Sequence, residues 1–114
     1  MKKLADYAKI IEQGKASPDI LADALVEMTA HYAFLTEKHI TLKLAKAVFE
    51  DKAKFSYTKD GVPTEREKPL SDKSVEVKWR LTKNGEEEYR IKRTVGALEK
   101  MMRSTNTILY SFKQ

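Results

Sequence analysis

Apolar residues recur at steps of three and four from the start of the chain, at Leu4, Tyr7, Ala8 and Ile11. This spacing predicts a short amphipathic helix, ending at Gln13 with Gly14 as its C-terminal glycine. Ser17, Pro18 and Asp19 then form a start signal: a hydroxyl at the N-cap, proline at the first helical position, and an acid where the helix dipole favours it. From there Leu21, Leu25, Met28, Tyr32, Leu35, His39, Leu42, Lys46 and Phe49 keep alternating four- and three-residue steps, the strongest periodic signal in the chain. No Gly or Pro interrupts Asp19 to Tyr57, so one helix approaching forty residues, roughly 55 Å at 1.5 Å per residue, is expected. Val48, Phe55 and Tyr57 are expected to pack at its far end.

Residues 58–70 hold an Asp60-Gly61 turn signal and two prolines among charges, and are expected to form a flexible charged loop. Beyond it Ser71 can cap a further helix, with Leu70 and Val75 placed for a hydrophobic staple. Two readings then compete. Val75, Val77, Trp79 and Leu81 alternate at period two, and Tyr89 and Ile91 alternate again after Asn84-Gly85, so a β-hairpin over about 74–92 is possible, with Lys83-Asn84-Gly85 as its loop and Trp79 opposite Tyr89. Against it, Ile91, Val95, Leu98, Met102, Thr105, Leu109 and Phe112 keep the four-three pattern, which Val77 and Asn84 extend backwards. A single helix from Ser71 to Phe112 would bear a cost of about 1 kcal/mol for an internal Gly85. The favoured fold class is all-α: an antiparallel hairpin of two long helices with a short N-terminal helix, oligomeric. The alternative is α+β with the 74–92 hairpin. One domain over 1–114 is expected.

Composition narrows the functions rather than the fold. The 114 residues carry 22 Lys plus Arg against 17 Asp plus Glu, a formal charge of +5, which favours encounters with polyanions or acidic surfaces. The absence of cysteine excludes disulfides, thiolate zinc sites and thiol catalysis, and fits a reducing, cytoplasmic setting. The start at Met1-Lys2-Lys3 runs into polar Asp6, Lys9 and Glu12 and gives no secretory pattern, and no apolar run is long enough to span a membrane.

Chemistry is sparse. His31 and His39 stand eight residues apart, not at the four-residue spacing that lets two imidazoles share a metal, so no metal is expected. His39 and Lys46 read as polar interruptions of the heptad seam that fix register. Glu86-Glu87-Glu88 reads as a solvated helix surface. No phosphate loop, nucleophile set or cofactor fingerprint occurs, so neither an enzyme nor a cofactor is expected.

The last third carries the functional signal. At about 100° per residue, Val77, Ile91, Val95, Leu98, Met102 and Leu109 gather on one side of a helix. Lys78, Tyr89, Lys92, Arg93, Lys100 and Arg103 gather opposite, with Trp79 beside them. Spaced cations follow phosphates and an exposed aromatic stacks on an unpaired base, so these residues are candidate contacts for single-stranded nucleic acid. The bland reading is a solvated surface. For Trp79 the competing reading is a core or interface anchor. Met101, Ile108 and Tyr110 fall outside the seam, a surplus that calls for oligomerisation or for cover by the first helix.

The Lys- and Ala-rich heptad stretch Leu42-Lys43-Leu44-Ala45-Lys46-Ala47, the charged loop, and a second long segment opened by Ser71-Asp72-Lys73 and running to Leu98-Glu99-Lys100-Met101-Met102-Arg103-Ser104 together resemble the small helical-hairpin proteins of tailed phages. Among these are the UvsY-type recombination mediators. The likeness covers the layout of about residues 19–113 and no diagnostic motif. It implies a phage or prophage accessory protein, active in the host cytoplasm in recombination or replication, that binds single-stranded DNA as a homo-oligomer and works with a recombinase. The competing expectation is a protein-interaction module, an assembly chaperone or host-factor inhibitor, docking on an acidic partner surface.

Overall fold

The computed structural model describes residues 3–13 and 17–112, and Gly14 lies outside them. In chain order the elements are α1 (Leu4–Gln13), α2 (Pro18–Phe55), β1 (Ser56–Lys59), β2 (Val62–Glu65), α3 (Asp72–Arg80) and α4 (Lys83–Ser111). The fold is mostly all-α, as the four-three periodicity requires. No helix among the described residues is long and apolar enough to cross a membrane.

α1 and α2 begin and end close to where their signals place them. The carbonyl of Ser17 accepts from Leu21 N, Pro18 opens α2, Asp19 lies in its first turn, and Lys52 and Lys54 lie in its last. Both charge placements suit the helix dipole.

The chain divides into two compact units, residues 1–37 with 91–114, and residues 38–90. In the first, the early part of α2 and the late part of α4 run antiparallel. Tyr7 of α1, Ala24 and Met28 of α2 and Leu98 of α4 form its core. Met101, outside the seam, packs against this cluster, to which α1 contributes Tyr7. Each buried Leu or Met contributes about 1.5–3 kcal/mol. Thr105, fully buried on the seam, satisfies its hydroxyl on the carbonyl of Met101 at 2.7 Å.

In the second unit α3 runs antiparallel to the late part of α2: Lys54 pairs with Asp72 at one end, and Phe49 meets Trp79 at the other with ring centroids 5.5 Å apart. Ser71 caps α3 by accepting from Ser74 N at 3.2 Å, as its position predicts. The 74–92 hairpin does not form, and neither does one helix from Ser71 to Phe112. The helical path breaks at Leu81-Thr82. Thr82 accepts from Gly85 N at 3.0 Å through Oγ1, and donates that hydroxyl to the carbonyl of Trp79 at 2.6 Å. A threonine hydroxyl thus satisfies one of the unpaired amides at the start of α4. Gly85 is needed there: a Cβ on it would lie 1.9 Å from the Trp79 carbonyl oxygen.

The strands that do form lie earlier. Asp60 and Gly61 both have positive φ, 51° and 78°, the two-residue type I′ geometry, and Lys59 pairs with Val62 across the turn. Arg66 ties this small hairpin to the end of α2, donating from its backbone N to the carbonyl of Phe55 at 2.8 Å and from Nε to that of Ala53 at 2.9 Å. Its guanidinium also lies 5.4 Å from the Tyr57 ring centroid. Val48, Phe55 and Tyr57 are exposed rather than packed, because the hairpin is held through backbone carbonyls and not through an apolar cap.

Candidate nucleic-acid interface

Four of the predicted contact residues share one helix surface. Lys92, Arg93, Lys100 and Arg103 are all exposed on α4 in the first unit, while Ile91, Leu98 and Thr105 of the same helix are buried. At about 100° per residue the four cations fall on an arc roughly 100° wide, which Gly96, Thr107 and Tyr110 also occupy. Between residues 91 and 111 no Asp or Glu falls on this arc. The one acid between residues 91 and 111, Glu99, accepts a hydrogen bond from the Tyr32 hydroxyl at 3.0 Å. That bond raises the Tyr32 pKa above 10.0, through the hydrogen bond to Glu99 first and its negative charge second. Along the helix the cations span about 16 Å.

The remaining three predicted residues lie in the second unit. Tyr89 is exposed on α4. Lys78 is exposed but belongs to α3, because the break at Leu81-Thr82 ends the helix that was to carry it in phase with Lys92. Trp79 is 2% exposed and cannot stack on a base. It is a core anchor: its ring packs on Phe49 and its Nε1 donates to Glu88 Oε1 at 3.1 Å. Val77, placed on the apolar seam by periodicity, is 49% exposed for the same reason as Lys78 is out of phase.

Glu88 departs most from its reading as solvated surface. It is 5% exposed, and besides Trp79 it has His39 Nε2 at 3.6 Å and Lys46 Nζ at 3.8 Å. The two polar interruptions of the α2 seam therefore both face one buried carboxylate on α4. Its neighbours Glu87 and Glu86 are spent on Lys38 and Arg90. Glu88 was discernible in the sequence, since it sits on the four-three register between Asn84 and Ile91. The acidic triplet around it concealed this.

A second exposed feature is apolar. Ile40, Leu44, Val48 and Phe55 follow one another along one side of α2 in the second unit, each about half exposed or more.

Comparison with known proteins returns no matching family, no matching curated protein and no matching solved structure.

Proposed function

We propose that this protein binds single-stranded nucleic acid through the basic face of α4, with Lys92, Arg93, Lys100 and Arg103 as phosphate contacts. The observation that carries the reading is the arc without acids: four exposed cations on one helix face whose opposite side is core. Helix surfaces that are merely solvated mostly mix the two signs along one face. A one-signed face instead attracts a polyanion and releases counterions from it.

The test is fluorescence anisotropy with a labelled single strand over about 50–200 mM salt. Affinity is expected to fall steeply with salt, and Lys100→Ala with Arg103→Ala is expected to lower the slope of log K against log salt by about 1.4. Binding that is absent at low salt, or indifferent to salt, defeats the reading.

Self-association is a second reading, favoured by the Ile40, Leu44, Val48 and Phe55 face, whose occupant would be the same face of a second copy related by a two-fold axis. Leu44→Glu is expected to reduce the mass seen by light scattering to that of one chain. A wild-type protein that is monomeric at high concentration removes this reading and leaves the first intact.

A further inference from the structure

An open groove of about 1230 Å³ lies in the first unit, between the early part of α2 and the late part of α4. Leu25, Met102 and Leu109 supply apolar walls, and Asn106, Tyr110 and Arg103 line it with polar and aromatic groups. From this groove we infer a base-binding site: it receives unpaired bases of the strand whose phosphates lie on the basic face. The inference rests on the nucleic-acid reading above and deepens it.

The juxtaposition that points to this ligand is Arg103, together with Tyr110. Both line the groove and both lie on the arc without acids, so the apolar cleft opens directly beside the row of cations. A ligand that fills the one and touches the other carries an apolar part and an anionic part in close succession. A nucleotide does so at every step of a strand. The groove exceeds the roughly 300–1,000 Å³ of ordinary small-molecule pockets and is open to solvent, so it has room for more than one base. Its polar lining suits base edges: the Asn106 amide both donates and accepts, and Glu99, a further lining residue, accepts. Duplex DNA holds its bases stacked and paired, so only an unpaired strand can place them here.

The test compares three labelled probes on the full-length protein: an oligothymidylate of about 20 nucleotides, an abasic strand with the same number of phosphates, and a duplex of that length. Stacking in the groove predicts that the oligothymidylate binds at least about fivefold more tightly than the abasic strand, and more tightly than the duplex. Tyr110→Ala and Asn106→Ala, both at exposed positions, are expected to weaken oligothymidylate binding more than abasic-strand binding and so to reduce that preference. Equal, salt-dependent binding of the oligothymidylate and the abasic strand overturns the base site and spares the basic-face reading. Binding of none of the probes overturns both. Equal binding together with a change of oligomer size in the groove variants assigns the groove to a second copy, and a groove that takes an acidic amphipathic peptide in preference to oligothymidylate assigns it to a protein partner; each overturns the proposal.

Discussion

Two glycines in α4 should respond in opposite directions to the same substitution. Both sit inside the helix, where alanine is intrinsically favoured by about 0.5–1 kcal/mol. At Gly96 a Cβ meets nothing within 4 Å, so Gly96→Ala should stabilise by nearly that full amount. At Gly85 the same Cβ would lie 1.9 Å from the Trp79 carbonyl oxygen and 2.6 Å from its carbon. Ordinary contact begins near 3.4 Å, so the α3–α4 junction must open by about 1.5 Å, and the obstacle is backbone rather than a side chain that could swing away. Opening it strains the Thr82 cap, worth about 1 kcal/mol, on top of an overpacking cost of about 1–3 kcal/mol. After the helix-propensity gain, Gly85→Ala should destabilise by about 1–3 kcal/mol. Urea unfolding followed by far-ultraviolet circular dichroism and by the emission of the single Trp79, which lies at this junction, measures both variants. A Gly85→Ala protein as stable as wild type, or more so, would refute the break at Leu81-Thr82 and restore one continuous helix.

Three further outcomes follow from the second unit and from Tyr32. Glu88→Ala should cost about 2–3 kcal/mol, because it removes the acceptor for Trp79 and the carboxylate facing Lys46 and His39; Glu88→Gln, which keeps an acceptor for Trp79, should cost about half as much, and an alanine variant within about 0.5 kcal/mol of wild type contradicts the arrangement. Arg66→Ala should speed amide exchange in the last turn of α2 and across Ser56–Glu65 while leaving α1 unchanged, since it removes the Nε bond to the Ala53 carbonyl and the guanidinium beside the Tyr57 ring, although the backbone bond to Phe55 stays. The raised Tyr32 pKa means that the folded protein holds its phenol proton more tightly than the unfolded chain, so this contribution is full below pH 10 and is lost as pH rises through the folded value. Glu99→Gln should move that titration down in an absorbance measurement of tyrosinate, and an unmoved titration rules out the Tyr32–Glu99 bond.

What could be read from the sequence divides along a physical line. α1, α2 and the Ser71 cap were legible because each depends on local chemistry: apolar spacing, a proline at the first helical turn, a hydroxyl placed to accept an amide. The break in the second long segment was not, because the four-three pattern runs straight across it. What decides it is a short-range competition that periodicity does not register: Thr82 offers its hydroxyl to Gly85 N, and Gly85 has no Cβ to prevent the approach. The 56–65 hairpin showed its turn but not its strands. Those strands are polar, exposed and carry Pro63, so they lack the alternation that marks a half-buried strand.

The candidate site divides in the same way. That Lys92, Arg93, Lys100 and Arg103 share one face was legible because all four lie on one unbroken helix, where angular position follows from residue number alone. Lys78 and Trp79 were assigned to that face by counting through the break, and counting fails there. The groove was out of reach altogether, because its walls come from α2 and α4, and nothing in either periodicity says which flank of the seam α1 leaves open. The Glu88 layer shows how much a second helix adds to such a reading. His39 and Lys46 alone are two polar residues on an apolar seam, and only a matching interruption on the opposite seam explains their tolerance. Glu88 supplies it, and Trp79 also donates to that carboxylate; because His39 and Lys46 stand one heptad apart, a one-heptad slip of α4 against α2 would leave the acid only one of these two partners. Only the observed register gives Glu88 both of its α2 partners, a preference that apolar seam residues, being interchangeable by a heptad, do not express.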